Sequence, residues 1–150
     1  MLTWEQCRAD FEADGSLRDI YVLDTTIDQW RSVYAMLQAN YQLTCHGHMG
    51  QQPPPLIVDH AFADTGFSRP LLVIQVGQFE INCHFFKQNE IEFDFRPEDI
   101  TSQTDLGNLL QFLKQIGDLC KKPFSVHPEN YRKVALITYD ADKKEFRGAE

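Results

Sequence analysis

The residues best suited to metal chemistry are Cys45-His46-Gly47-His48, with His60 further along the chain. In an extended segment, side chains two apart share a face, so His46 and His48 point the same way. Imidazole and thiolate are good ligands for zinc or copper. Completing a site takes a third or fourth donor, for which Asp59, His60, Asp64 and His84 are the available residues. The chain has no paired Cys-x-x-Cys and no His-Glu-x-x-His, and an isolated His-x-His is more often a solvated loop than a metal site. The expectation is therefore no bound metal and no cofactor. Cys45, His46, His48 and His60 are the ligand set of an alternative reading, a small-molecule-binding protein or metal-assisted hydrolase.

A second group consists of Glu80, Asn82, His84, Glu90, Glu92 and Asp94. A histidine beside carboxylates is how a general base is held, and clustered carboxylates can bind Mg²⁺ or serve as acid and base. The polar side of an antiparallel sheet looks the same, because alternation alone places charged residues outward. An acidic strip also suits recognition of a basic protein. These six residues are taken as solvent-facing and as the candidate partner-binding surface.

Nucleophilic catalysis has little support. Cys120 sits near a predicted helix C-terminus, where the dipole disfavours a thiolate, and Cys83 reads as a small core residue. His127, beside Pro128, has no acid or thiol partner nearby in sequence. Gly-x-Ser-x-Gly, phosphate-cradling and dinucleotide motifs are all absent. No catalytic residue is assigned.

These side chains must be positioned by elements that the pattern places as follows. Thr3 with Gln6 and Thr26 with Gln29 are capping boxes, opening helices over residues 2–13 and 27–40. Residues 17–24 read as a strand, 41–44 as a short strand, 45–55 as an exposed proline-rich loop and 56–62 as another strand. Asp64 to Pro70 is turn-rich, and residues 71–76 suit a central strand buried on both faces. The segments 78–86 and 90–95 alternate cleanly. A three-residue loop, 87–89, pairs Phe85 with Ile91, Cys83 with Phe93 and Ile81 with Phe95 inside. The same register pairs His84 with Glu92, Asn82 with Asp94 and Glu80 with Arg96 outside. A third helix is capped by Thr104 and stopped by Pro123, and a last hairpin joins 133–139 to 145–147. The fold class is α+β, a mostly antiparallel β-sheet of about five to seven strands with three helices packed largely on one face.

With 150 residues, 43% hydrophobic and 12% aromatic, the chain reads as a single α+β domain, residues 1–150, able to bury a core. A formal charge of −8 repels phosphate backbones, which argues against nucleic-acid binding. No apolar run approaches the roughly 20 residues that span a bilayer, which argues against a membrane partner. The N-terminal residues lack the features of a signal peptide, so a cytoplasmic location and reduced cysteines are expected. The function expected is a non-catalytic binding protein acting through a protein partner or as a homodimer. A bacterial-type accessory protein that neutralises a basic toxin or enzyme would have this character.

Overall fold

The computed structural model describes residues 2–63 and 69–149, so the expected turn at 64–68, with Asp64, lies outside the described residues. Thr3 and Thr26 cap their helices as full capping boxes, opening α1 (Trp4–Cys7) and α2 (Ile27–Asn40). The first helix is shorter than its pattern promised, because the chain tightens into a 3₁₀ turn over Arg8–Phe11. Strand β1 (Arg18–Leu23) precedes α2, and β2 (Gln42–Gly47) and β3 (Gly50–Gln52) follow it. Next come α3 (Val58–Ala63), β4 (Leu71–Val76), β5 (Phe79–Lys87) and β6 (Glu90–Phe95). The chain closes with α4 (Gln103–Cys120), β7 (Phe124–Pro128), β8 (Ile137–Asp140) and β9 (Glu145–Gly148).

The α+β class is as expected, but the described residues form nine strands rather than five to seven, and four helices rather than three. All nine strands join one antiparallel sheet in the order β3-β2-β4-β5-β6-β1-β7-β8-β9. The N-terminal strand is thus inserted near the centre. The inner row Cys45, Leu72, Cys83, Phe93, Ile20, Val126 and Ile137 runs across seven strands and is buried throughout. Against it pack Trp30, Val33, Tyr34 and Leu37 of α2 and Leu106, Leu109, Phe112, Leu113 and Ile116 of α4. The helices therefore cover one face, as antiparallel α+β sheets require. Among the described residues, no helix is long and apolar enough to cross a membrane.

Four element assignments need correction. Ser102, not Thr104, caps α4, its Oγ accepting from Asp105 N–H at 3.1 Å. Residues 56–62 are not a strand: Val58 and Ala61, three apart, are buried in α3, while Tyr34 Oη donates to Pro55 O and fixes the entry against α2. The helical spacing is real but short, and the three prolines before it hide it. The segment 45–55 is not simply a loop, since β2 extends through Gly47 and returns as β3, with Gly50 at φ +102°. Residues 124–128 form β7, which had no place in the sequence reading, with Phe124 and Val126 inward and Ser125 and His127 outward.

The β5–β6 register agrees at Asn82–Asp94, Cys83–Phe93 and His84–Glu92. A bulge after His84 adds one residue to β5, so Lys87 pairs with Glu90 across a two-residue turn. The expected Phe85–Ile91 pairing is displaced, although both side chains stay in the core. Trp30 Nε1 donates to Lys87 O, and Thr25 Oγ1 to Gln88 O, so neighbouring elements hold this irregular turn.

Candidate recognition face

Two outward rows cross the sheet on the side away from the helices. One runs His46, Leu71, His84, Glu92, Tyr21, Ser125, Thr138, Arg147. The other runs Thr44, Val73, Asn82, Asp94, Asp19, His127. The alternation Glu90-Ile91-Glu92-Phe93-Asp94-Phe95 sends every carboxylate of β6 to this face, and Asp19 and Tyr21 of β1 arrive beside them.

The face is not the solvated strip that alternation predicted. Glu90 is 7% exposed, Asp94 8% and Asp19 4%. Lying mid-sheet, they are flanked on both sides by neighbouring strands, and the segment 129–135 folds across them. Asn130 N–H donates to Asp19 Oδ2 at 2.9 Å, and Tyr21 Oη donates to the same oxygen at 2.7 Å. Arg132 pairs with Glu90 and lays its guanidinium 3.8 Å from the Tyr21 ring centroid. This combines a charge-assisted hydrogen bond with a cation–π contact.

Asp94 is fully engaged. Asn82 Nδ2 donates to Oδ1 at 2.8 Å, and His84 Nε2 lies 2.5 Å from Oδ2. The His84 ring stacks on exposed Phe86, with centroids 4.8 Å apart. Burial pushes His84 towards neutrality, but the hydrogen bond to Asp94 and the charges of Asp94, Glu92 and Asp19 outweigh it, so its pKa is raised. Chemically, the pair is an imidazole oriented by a carboxylate, with its second nitrogen free of that contact.

Glu92 differs from its neighbours. It lies between His84 and Tyr21 in its row, is half-buried, and among the described residues its carboxylate takes part in no hydrogen bond or ion pair. Burial, together with the charges of Asp19 and Glu90, raises its pKa against the opposing pull of His84 and Arg132. A hollow of about 420 Å³ opens beside it, walled by Tyr21, Asn130, Tyr131, Arg132 and Lys133. Exposed Tyr131, Phe86 and Leu23 add apolar surface around these acids.

Of the six candidate residues, Asn82, His84, Glu92 and Asp94 form one connected patch. Glu90 belongs to it through Arg132. Glu80 is exposed further along β5, and its expected partner Arg96 instead pairs with Glu98 at 2.9 Å. Asp19, Tyr21, His127 and Arg132 had not been singled out as members of this face. For β1 the available signal was the alternation of Asp19 and Tyr21 with Ile20 and Val22. The metal-ligand set is dispersed: Cys45 faces the core, His46 faces outward and exposed, His48 sits in the β2–β3 turn, and His60 is exposed on α3. Among the described residues, no group of three or more His, Cys, Asp or Glu is spaced to hold a metal ion. Comparisons with protein-family models, curated proteins and solved structures return no match.

Proposed function

We propose that this chain is a non-catalytic binding protein whose helix-free sheet face receives a basic protein partner. The carrying observation is Glu92, a half-buried carboxylate at the centre of that face with no hydrogen-bond partner among the described residues. A cationic side chain of the partner restores the interaction that burial removed, and Tyr21, Tyr131 and Phe86 supply the aromatic surroundings in which such contacts concentrate. The net charge of −8 steers a basic partner towards the face. A homodimer through the same face would bring like charges together across a two-fold axis, which disfavours it. An accessory role in neutralising a basic toxin or enzyme fits this chemistry.

The test compares the parent with Glu92→Gln and Glu92→Lys for binding of an arginine-containing basic peptide, followed residue by residue by NMR. Binding should perturb Tyr21, His84, Phe86 and Glu92, weaken as salt rises, and fall about tenfold or more in Glu92→Lys, as loss of a charge-assisted contact implies. Perturbations confined to the helical face, or an unchanged affinity in the charge-reversed protein, would sink the proposal.

A further inference from the structure

A second hollow, of about 460 Å³, lies on the other side of the Tyr21–Arg132 stack and shares those two residues with the Glu92 hollow. Its lining mixes charges, with Lys122 and Arg132 beside Asp24 and His127. His127 of β7, only 9% exposed, lines it, and its ring lies 5.7 Å from that of Tyr21. His127 Nδ1 lies 2.6 Å from Val134 O, and a carbonyl only accepts, so Nδ1 carries the proton. Among the described residues Nε2 has no hydrogen-bond partner, yet no buried side-chain nitrogen or oxygen is left unsatisfied. That nitrogen is therefore open to solvent, and in the neutral ring it presents a lone pair.

Lys122, just after the C-terminus of α4, reaches into the same hollow. Its ammonium donates to the carbonyls of Leu23 and Asp24 and, among the described residues, meets no carboxylate. With three N–H groups, it keeps one donor to spare. Ser125 lines the floor, its hydroxyl 3.0 Å from that of Thr138, where either can donate. Leu23 and Pro123 supply apolar surface.

We propose that this hollow binds a small oxyanion that retains a hydroxyl, the singly charged form of a phosphate monoester being the class that meets His127, Lys122 and Ser125. Its P–O–H donates to His127 Nε2. Its charged oxygens accept from Lys122 and Ser125, and its organic substituent lies on Leu23 and Pro123. Acetate has charged oxygens but no hydroxyl donor, and inorganic phosphate has no apolar substituent, so each lacks one part of the fit.

The experiment titrates the full-length protein, labelled with ¹⁵N, with phenyl phosphate while the imidazole nitrogens are followed. His127 Nε2 should shift and saturate, whereas exposed His46, His48 and His60 should not. Inorganic phosphate should bind more weakly, and acetate should not saturate. Lys122→Gln should weaken phenyl phosphate about tenfold, the scale of one charge-assisted hydrogen bond. Ser125→Ala, a smaller change, should weaken it less, and Glu92→Gln should leave it unaltered. A His127 resonance that fails to saturate, acetate binding as well as phenyl phosphate, or a folded Lys122→Gln protein of unchanged affinity each overturns the proposal.

Discussion

Phe93 lies between Cys83 of β5 and Ile20 of β1, fully buried, with Phe112 of α4 edge-on at 5.3 Å. Truncation to Ala should cost about 3–5 kcal/mol in chemical denaturation. A loss under about 1 kcal/mol, typical of surface positions, would contradict its burial. One register position away, Asp94 and Glu92 should behave oppositely. Asp94→Lys removes the acceptor of both Asn82 and His84 from a buried position and should destabilise by about 3 kcal/mol or more. Glu92→Gln should be neutral near pH 4 and slightly stabilising at pH 7, where the parent carries a charge that burial disfavours. Because folding raises the Glu92 pKa, the folded state holds its proton more tightly, and stability should fall as pH rises from near 4.5 through the folded value. His84, also raised, adds stability that is fully present below about 6.5 and lost as pH climbs through its folded pKa. Melting curves between pH 4 and 8 should therefore decline in two steps, and Glu92→Gln should abolish the lower one and shrink the upper, since the Glu92 charge helps raise His84. The β6 acids were legible in the sequence because strict alternation marks a face. Their burial was not, because it depends on neighbours distant in sequence, β1 beside Asp94 and Arg132 on Glu90.

At the scale of elements, α4 meets β7 and β8 most closely at Gly117, where an added Cβ would stand 2.3 Å from a ring carbon of Tyr139 and 3.0 Å from Phe124. At Gly107, on the same helix, no atom of the described residues beyond the helix itself lies within 4 Å of an added Cβ. Gly117→Ala should destabilise by about 1–3 kcal/mol through overpacking. Gly107→Ala should stabilise by up to about 1 kcal/mol through helix propensity. Opposite signs from one substitution type on one helix, read as melting shifts, check this packing. Capped, strongly periodic elements such as α2 and β6 could be read from residue spacing to within a residue or two. The failures were short: β7, bounded by Pro123 and Pro128, and α3, with two buried residues in six positions. In such pieces tertiary contact, not local pattern, decides the conformation.

For the whole molecule, the position of β1 matters most. Asp19 pairs with Asp94 on one side and His127 on the other, so the centre of the sheet draws on three distant parts of the chain. Removing residues 124–149 would strip β1 of β7 and Asp19 of Asn130, and would open the core at Val126 and Ile137. The truncated chain should lose its cooperative thermal transition. A two-state melt near that of the parent would show that β7–β9 are an appendage and not part of one folding unit.

The same arrangement has a consequence for synthesis. A ribosome delivers β1 first, yet β6 emerges only around residue 95 and β7 only around residue 128. At roughly 5–20 residues per second, β1 waits several seconds for its first neighbour and a second or more longer for the next. During the later interval it is the edge of a growing sheet, where strands from neighbouring nascent chains can pair in error. Asp19 projects near the start of that temporary edge. The carboxylate that later accepts Asn130 thus also sets a charge against such pairing until the chain's own seventh strand arrives.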